Sequence, residues 1–327
     1  MSKPRVSRAA GASPGRDAVP VSEYDEAWIR ETWGFDDAEE FVRSAGANLR
    51  PRVRRALELA EVGAGMRVLD VGCGRGEVVL ECARRGADAV GVDYSAPAIA
   101  LAGRARARCD AAAQARARFF TCDVHDLPGD ERFDRIFMLD LVEHLHDWQL
   151  VALFNAVRAR LNPGGLVMIH TLPNRWVYEV SYRRLVRPVL RFLPAEPRNA
   201  KEKAIHVNEM SVTHLDQLLR HCGLEGRVWL EEQITAQARW HAAHPLSGAR
   251  GKLYRLMQNR AVAAAYRVCG ASPLKLLVVN DIFGVAWAPG TTPSVRLPGA
   301  LTERLVCAAA RRLAPWTFSA GDEKTRR

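Results

Sequence analysis

The chain has 327 residues, of which 48% are hydrophobic and 26% are charged, so it can bury a core and wholesale disorder is excluded. Its 47 Lys and Arg residues outnumber 37 acids and give a formal charge of +10, which suits an anionic partner such as nucleic acid, a phospholipid surface or a phosphorylated substrate. The seven cysteines are scattered and form no CxxC pair, which argues against a disulfide framework or a cysteine zinc site and favours the reducing cytoplasm.

The N-terminal part of the chain predicts a tail followed by helices. Residues 1–22 mix Ser, Pro, Gly, Arg and Ala without an apolar signal segment, which indicates a flexible tail. Over residues 23–62 we expect helices, because aromatic residues recur at helical spacing from Tyr24 to Phe41 and an amphipathic pattern covers Arg50–Glu61. No stretch of the sequence approaches the roughly 18 apolar residues that a membrane-spanning helix needs.

Short apolar runs then alternate with helical patterns over residues 63–172. The runs are Val68–Val71, Ala89–Val92, Phe119–Cys122, Arg135–Leu139 and Leu166–Thr171, and the helical patterns are Glu77–Arg85, Ala96–Ala115 and Trp148–Leu161. Strands that alternate with helices imply right-handed βαβ crossovers and a parallel sheet covered on both faces. The sequence therefore predicts an α/β fold.

The rest of the chain adds to this core without forming a second domain. We interpret residues 23–290 as one domain. Its cofactor-binding core over 63–172 is followed by a basic lid insertion at 174–205, a helix at Ser211–Cys222, a strand at Arg227–Leu230, a helical insertion at 236–270 and a last strand over 275–287. Residues 291–327 are predicted to form a basic amphipathic tail, with a short helix over Leu301–Leu313.

Three acidic positions at successive strand ends point to a ligand. The first strand runs into Asp70-Val71-Gly72-Cys73-Gly74-Arg75-Gly76, whose glycines let the backbone approach a ligand closely. Asp93 ends the second strand, where a carboxylate can accept both hydroxyls of a ribose, and Asp123 follows the third, where it can accept from an adenine amino group. Because the carboxyl ends of parallel strands form the ligand crevice of an open sheet, their joint placement favours a nucleoside site.

These motifs resemble the class I S-adenosylmethionine-dependent methyltransferases. The resemblance rests on VLDVGCGRG (Val68–Gly76), GVDYS (Gly91–Ser95), CDVHDLP (Cys122–Pro128), FDRIFMLDLVEHL (Phe133–Leu145) and LNPGG (Leu161–Gly165), and it covers roughly residues 50 to 232. It implies a Rossmann-like, mostly parallel seven-stranded sheet with an antiparallel last strand, and S-adenosylmethionine as cofactor. The cofactor-binding residues it implies are Asp70, Gly72, Cys73 and Gly74 around the methionine half, Asp93 at the ribose, Tyr94, Asp123 and Val124 at the adenine, and Leu139 near the sulfonium.

The residues after the fourth strand concern the methyl acceptor. Asp140-Leu141-Val142-Glu143-His144 and a later His206 resemble the branch that contains ubiquinone-biosynthesis O-methyltransferases and methyltransferases of polysaccharide and natural-product pathways. The resemblance implies O-methylation of a small-molecule or carrier-linked acceptor such as a sugar, quinone or natural product. Two interpretations stay open. In the first, Asp140, Glu143, His144 and His206 bind a divalent metal that lowers the pKa of an acceptor hydroxyl. In the second, Glu143 and His144 organise the cofactor-side loop, and one histidine, His144 or His206, is a metal-free general base.

Two other functions, RNA methylation and non-catalytic cofactor binding, fit the sequence less well. An RNA-directed 2′-O-methyltransferase is suggested by the positive charge, but no recognised RNA-binding module flanks the core and aromatics do not interleave with the basic run. A non-catalytic cofactor-binding subunit conflicts with the intact motifs, and no DNA partner is expected. The segment Arg183–Leu193 could lie on the inner face of an anionic membrane or clamp a phosphorylated carrier, although we favour a lid helix with its apolar side on the domain and its arginines in water. His170 is expected to be structural, and Asn174–Trp176 could line the acceptor pocket.

Overall fold

The computed structural model describes residues 18–25, 27–28, 35–189, 200–243 and 248–291, together with single residues or short groups at 191, 195–196, 198, 293, 295–298, 305–306, 308, 310 and 312. Statements about structure below concern these residues. Most of the predicted tail 1–22, the aromatic Trp33 and most of the predicted helix Leu301–Leu313 lie outside the described residues.

Seven strands form a single sheet in the order β3-β2-β1-β4-β5-β7-β6. The strands are β1 (Arg67–Val71), β2 (Asp88–Asp93), β3 (Ala117–Thr121), β4 (Phe133–Leu139), β5 (Leu161–Thr171), β6 (Glu225–Leu230) and β7 (Ile282–Trp287). Strands β1 to β5 pair in parallel, whereas β7 runs antiparallel to both β5 and β6. The predicted Rossmann-like sheet with an antiparallel last strand is confirmed.

Helices pack on both faces of this sheet because successive strand residues point to opposite sides. The helices are α1 (Phe35–Arg43), α2 (Pro51–Ala60), α3 (Glu77–Arg84), α4 (Ala96–Arg106), α5 (Ala111–Arg116), α6 (Asp147–Ala159), α7 (Ala200–Ile205), α8 (Val212–His221), α9 (Ile234–Ala243), α10 (Gly248–Met257), α11 (Arg260–Ala271) and α12 (Lys275–Val278). Leu69 belongs to one buried cluster and its neighbour Val68 to another, so β1 has a core on each side.

The strand order reverses between β1 and β4. The chain builds outward from β1 through β2 to β3, and then returns to place β4 on the other side of β1. In open α/β sheets a ligand crevice forms outside the carboxyl ends of the strands at such a reversal. The fold therefore brings the residues that follow β1, β2 and β4 to one place.

Two predicted elements differ from the structure. The helix expected over Ala96–Ala115 is divided into α4 and α5, because Asp110 accepts a hydrogen bond from the N–H of Ala113 and begins a new helix there. The last strand does not start at residue 275, because Lys275–Val278 is the helix α12 and β7 begins at Ile282. Leu276 and Val279 are buried, and an apolar run of this kind fits a buried helix as well as a strand.

The two insertions are helical but one is not packed as expected. Segment 174–205 contains a π-helix over Val177–Val186, which continues as a short α-helix to Val189. Leu185 and Val189 are 53% and 78% exposed, so the favoured prediction of an apolar side resting on the domain is wrong for this part. The helical insertion is confirmed as α9, α10 and α11. No helix among the described residues has both the length and the hydropathy to cross a membrane.

The predicted C-terminal tail contributes to the core where the structure describes it. Val306 and Ala310 are buried in the same apolar cluster as Leu69. Positions 306 and 310 are four residues apart, a spacing that puts two side chains on one side of a helix.

Candidate active site

A cavity of about 340 Å³ opens at the carboxyl ends of β1, β2 and β4, within the range of small-molecule pockets. Predicted residues on its wall are Asp70, Gly72, Cys73, Gly74, Asp93, Tyr94, Leu139, Asp140, Glu143, His144 and His206. Residues that the sequence analysis did not assign to the site also line it, namely Tyr24, Arg50, Arg52, Leu172 and Ile205. The cavity thus joins the predicted donor and acceptor residues with side chains from the N-terminal segments.

The glycine-rich loop after β1 needs glycine at defined positions. Gly72 has a φ of 72° and donates its N–H to the carbonyl of Val92, which turns the chain across the end of β2. Gly76 has a φ of 85°, and a Cβ there would lie 2.7 Å from the ring of Phe119. The loop can adopt this conformation and pack against the domain because these positions carry no side chain.

Asp93 is held by two backbone amides. Its Oδ2 accepts from the N–H of Gly74 at 2.9 Å and its Oδ1 from the N–H of Ser95 at 2.8 Å. Burial raises the pKa of Asp93, while these two donors act in the opposite direction. Each carboxylate oxygen has a second lone pair, so Asp93 can still accept two hydroxyl groups from a ligand in the cavity.

Asp70 places a second carboxyl group on the cavity wall, beside that of Asp93. Its side chain is buried, and burial, with the charges of Asp93 and Glu77, raises its pKa well above the usual range. A carboxyl group in this position is stabilised in its ionised form when a cation lies beside it. The pair Asp70 and Asp93 therefore suits a positively charged ligand group.

Two arginines at the start of α2, Arg50 and Arg52, also line the cavity wall. Arg50 Nη2 lies 2.9 Å from Glu77 Oε2, and Arg52 Nη2 lies 2.6 Å from Asp140 Oδ2. The Nε of Arg52 is buried and donates to no partner among the described residues. Burial would raise the pKa of Glu77, but Arg50 and Arg75 lower it to about 2. The sequence marks these arginines only as polar positions of an amphipathic helix.

Tyr24 crosses the cavity from the predicted adenine side to the acceptor side. Its ring meets Tyr94 edge to face at a centroid distance of 5.3 Å, and its Oη lies 3.2 Å from Nδ1 of His144. Its carbonyl accepts from Ser95 Oγ at 2.7 Å, which ties the N-terminal segment to the start of α4. The aromatic spacing singled out Tyr24 in the sequence, but only as part of a helix.

Glu143, His144 and His206 come together as predicted. One ligand atom from each lies within 4.8 Å of the others, and no other group of this kind occurs among the described residues. Glu143 follows β4 in a 3-10 turn and accepts from Thr171 Oγ1 at 2.8 Å. Burial and the charge of Asp140 raise the pKa of Glu143 to about 8. A cation bound at this cluster would stabilise the ionised form of the buried Glu143 carboxyl group.

The hydrogen bonds of His144 define its tautomer. Its Nδ1 lies 3.1 Å from the carbonyl oxygen of Ile205. A carbonyl only accepts, so the proton is assigned to Nδ1 and the lone pair to Nε2. Burial and the neighbouring His206 lower the pKa of His144 to about 4. At neutral pH His144 is thus an uncharged imidazole, well suited to bind a metal and a weak proton acceptor.

Asp140 does not join this cluster, in contrast to the predicted ligand set. It has a φ of 53°, and its two oxygens are taken by Arg52 and by Nδ1 of His170, each at 2.6 Å. Although burial opposes it, these two cations hold the pKa of Asp140 well below its usual range. We therefore do not retain Asp140 as a metal ligand.

His170 is buried between two carboxylates, as expected for a structural residue. Its Nδ1 faces Asp140 Oδ1 and its Nε2 lies 3.1 Å from Asp281 Oδ1. Since both acceptors are carboxylates, both ring nitrogens carry protons and the ring is an imidazolium. Burial opposes this charge, but Asp140 and Asp281 raise the pKa of His170 to about 9.

This imidazolium predicts a loss of stability at alkaline pH. A histidine whose pKa is higher in the folded state stabilises the fold fully below its unfolded value, about 6.5, and loses that contribution as pH rises through about 9. We expect the free energy of unfolding to fall by roughly 3 kcal/mol over this window because of His170. Urea unfolding at a series of pH values measures it.

Glu143 contributes a loss of stability of the same sign between about pH 4.5 and 8, which overlaps this window, so the pH profile of His170→Gln must be compared with that of the wild type. Equal slopes for His170→Gln and the wild type would show that His170 is not charged in the folded state.

Several residues proposed from the sequence lie away from the cavity wall. Asp123 is on the surface and accepts from the backbone N–H and the ring of His125, and Val124 is buried in the core. Their assignment to the adenine stays a prediction. Asn174 is buried and donates to the carbonyls of Leu276 and Val279, so the prediction that it lines the acceptor pocket is wrong.

A comparison with protein families identifies the domain that contains this cavity. Residues 40–227, more than half of the chain, match the model of a methyltransferase domain. The chain belongs to the class I S-adenosylmethionine-dependent methyltransferases. Its methyl donor is S-adenosylmethionine, and the methyltransferase match includes β1 to β5 and most of the cavity wall.

Curated relatives of this methyltransferase are ubiquinone biosynthesis O-methyltransferases. The protein from Nitrobacter winogradskyi is 33% identical over 183 residues, which span 56% of this chain and 63% of the relative. That from a Bradyrhizobium species is 28% identical over 202 residues, which span 58% of this chain and 76% of the relative. The chain thus spans less than two thirds of the length of the first of these.

Solved methyltransferase structures are also similar to this chain, at lower sequence identity than the curated relatives. A phosphoethanolamine N-methyltransferase from Haemonchus contortus has a TM-score of 0.51 at 17% identity, covering 80% of this chain and 59% of its own. A mycolic acid cyclopropane synthase complexed with S-adenosylhomocysteine has a TM-score of 0.50 at 20% identity, covering 72% of this chain and 82% of its own. At this identity the likeness concerns the fold.

Proposed function

We propose that this methyltransferase transfers the methyl group to a hydroxyl oxygen of a small-molecule or carrier-linked acceptor. The observation that carries the proposal is the cluster of Glu143, His144 and His206 on the wall of the cavity that also contains Asp70 and Asp93. The names of the curated relatives, which are O-methyltransferases, support the choice of oxygen. A sugar, quinone or natural-product hydroxyl fits this chemistry.

The charges on the cavity wall support one orientation of the donor. We infer that Asp93 accepts the ribose hydroxyls, while Asp70 lies toward the ammonium of the methionine part. Arg52, whose Nε is buried without a partner among the described residues, would donate to the methionine carboxylate. This orientation directs the sulfonium toward Leu139 and the acceptor cluster.

The chemical step then needs little covalent help from the protein. The methyl is activated by the positive sulfonium, so the enzyme must hold the acceptor oxygen in line with it and accept the acceptor's proton. Glu143 and the histidines are the groups available at this side of the cavity. The pKa of His144, about 4, makes it a weaker base than Glu143, whose pKa is about 8.

The cluster also fits a divalent metal. Its donor set is the buried carboxylate of Glu143 and one ring nitrogen from each of His144 and His206, within 4.8 Å of one another. Two imidazoles and a carboxylate suit a transition-metal ion with positions left for the acceptor. A bound metal supplies Lewis acidity that lowers the pKa of an acceptor hydroxyl.

Methyl transfer to a panel of acceptors tests the proposed function. Purified protein is incubated with S-adenosylmethionine labelled in the methyl group and with catechols, sugars, amines and thiols of similar size. We expect labelled methyl ethers. Label on nitrogen, sulfur or carbon acceptors alone would contradict O-methylation while leaving the donor assignment intact.

The metal assignment predicts that His206→Ala weakens metal binding. Losing one of three ligands should cost more than the roughly 10–100-fold that removal of a supporting outer-shell partner costs. Calorimetric titration of Mn²⁺ or Zn²⁺ into the wild type, His206→Ala and the exposed control His221→Ala measures this directly. Wild-type protein that binds neither ion, and whose activity withstands chelators, would favour the metal-free base instead.

A further inference from the structure

Two segments of the chain carry positive charge and contain no acid. Residues 180–195 and 233–280 contain 11 of the 47 Lys and Arg residues and none of the 37 acids. The remainder, which includes the basic C-terminal tail, has 36 Lys and Arg residues against 37 acids. The two segments are therefore cationic along their whole length.

The same two segments expose aliphatic side chains. The described part of the chain has ten exposed large hydrophobic residues, of which seven lie in these segments. Leu185, Val186 and Val189 belong to the first, and Leu253, Leu256, Val268 and Leu274 to the second. Val268 is 70% exposed, although water-facing positions of a helix are normally polar. Exposed apolar side chains concentrated in this way mark an interaction site.

The two segments are neighbours in the fold. Ser181 in the π-helix donates its hydroxyl to the carbonyl of Leu277, and Tyr266 in α11 donates to the carbonyl of Val278 at 2.6 Å. Both helices are thus anchored on α12. We call their exposed apolar and cationic side chains the basic-aliphatic face.

Helix α11 shows the character of this face most clearly. Ala261, Ala264, Ala265 and Val268 are exposed at spacings of three and four residues, so they form one apolar stripe. Arg260 and Arg267 are exposed on the same helix. A helix that presents an apolar stripe flanked by cations is suited to the boundary between lipid headgroups and acyl chains.

We propose that the basic-aliphatic face docks this methyltransferase on the surface of an anionic lipid bilayer. Exposed cations such as Arg255 and Arg267 are attracted by anionic headgroups, and exposed aliphatic side chains gain free energy by entering the acyl boundary. Single-stranded RNA is the competing polyanion, but it is bound mainly by stacking on aromatic side chains, whereas the exposed apolar side chains here are aliphatic.

The face is connected to the acceptor side of the cavity through the chain. The insertion that carries the π-helix leaves the cavity wall at Leu172 and returns to it at Ile205 and His206. Docking would hold the mouth of the active site near the membrane, where an apolar acceptor concentrates. The docking itself depends only on the surface and stands whether or not O-methylation is the reaction.

Vesicle co-sedimentation tests this proposal on the full chain. Protein is mixed with phosphatidylcholine vesicles with and without phosphatidylglycerol, at low and high salt. We expect sedimentation only with the anionic vesicles and a loss of binding at high salt. The double substitution Arg255→Glu/Arg267→Glu should weaken partitioning about tenfold or more, since each cation near an anionic surface contributes about 1 kcal/mol.

Matched variants separate charge from apolar insertion and from loss of folding. Leu256→Ser/Val268→Ser keeps the charge and should weaken binding to the anionic vesicles at low salt, whereas the exposed control Arg54→Glu/Arg108→Glu should bind like the wild type. Calorimetric binding of S-adenosylmethionine by each variant shows that the active site is intact. Equal binding to both vesicle types, wild-type behaviour of both face variants, or binding of single-stranded RNA with no binding of vesicles would each overturn the proposal.

Discussion

Asp93→Asn is expected to weaken binding of S-adenosylmethionine by about 100-fold or more, because two hydrogen bonds to a charged acceptor contribute about 1.5–3 kcal/mol each. The substitution keeps the size of the side chain but removes the charge and turns one oxygen into a donor. In the structure this carboxylate also holds the amides of Gly74 and Ser95, so the loop that forms the cavity loosens as well. Isothermal titration calorimetry measures the change.

Asp88→Asn is the matched control for this prediction. Asp88 begins the same strand, β2, at its opposite end, where it is exposed and pairs with Arg116. It should bind the donor like the wild type. Wild-type affinity in a folded Asp93→Asn variant would show that the donor does not use this carboxylate.

Arg75→Met is expected to lower the free energy of unfolding by about 3–5 kcal/mol, the usual cost of removing one partner from a buried ion pair. Arg75 is 1% exposed, and its guanidinium contacts Asp37 Oδ2 and Glu77 Oε1, each at 2.7 Å. It also lies over the ring of Phe41 at 4.4 Å. Methionine fills similar space but leaves these acids with one cation fewer. Urea unfolding followed by circular dichroism gives the change.

Arg85→Met provides the comparison for Arg75→Met. Arg85 pairs with Glu81 on the surface of α3, with its side chain 31% exposed. Exposed pairs of this kind contribute about 0–1 kcal/mol, so the control should unfold almost like the wild type. A similar small effect for both variants would mean that Asp37 and Glu77 are adequately compensated by other groups, with Arg50 the nearest candidate.

Most of the sheet and the donor side of the cavity could be predicted because their signals are local. The apolar runs around Val68 and Ala89, the glycines of the loop and the carboxylate at Asp93 lie within short stretches of sequence. Each depends on strand burial or on a backbone conformation that adjacent residues reveal. Their convergence then follows from the rule that parallel strands end at one edge of the sheet.

The charged partners could not be predicted, since they join distant parts of the chain. Nothing near Asp140 shows that Arg52 and His170 will occupy both of its oxygens, which is why it was expected to bind a metal. Tyr24 reaches His144 across 120 residues of sequence. The start of the last strand was missed for a different reason, because a buried apolar run does not distinguish helix from strand.

The beginning of α2 has a consequence for how the protein folds. Arg50 precedes the helix and Arg52 lies in its first turn, which contains no acid, although the dipole of a helix disfavours cations there. A helix of ten residues is marginal in water even without this penalty. The charges of Arg50 and Arg52 are compensated by Glu77 and Asp140, and its apolar face is buried against the domain, so both contributions require the sheet to be in position first. We therefore expect this helix to form late in folding and to complete the cavity wall after the strands have paired.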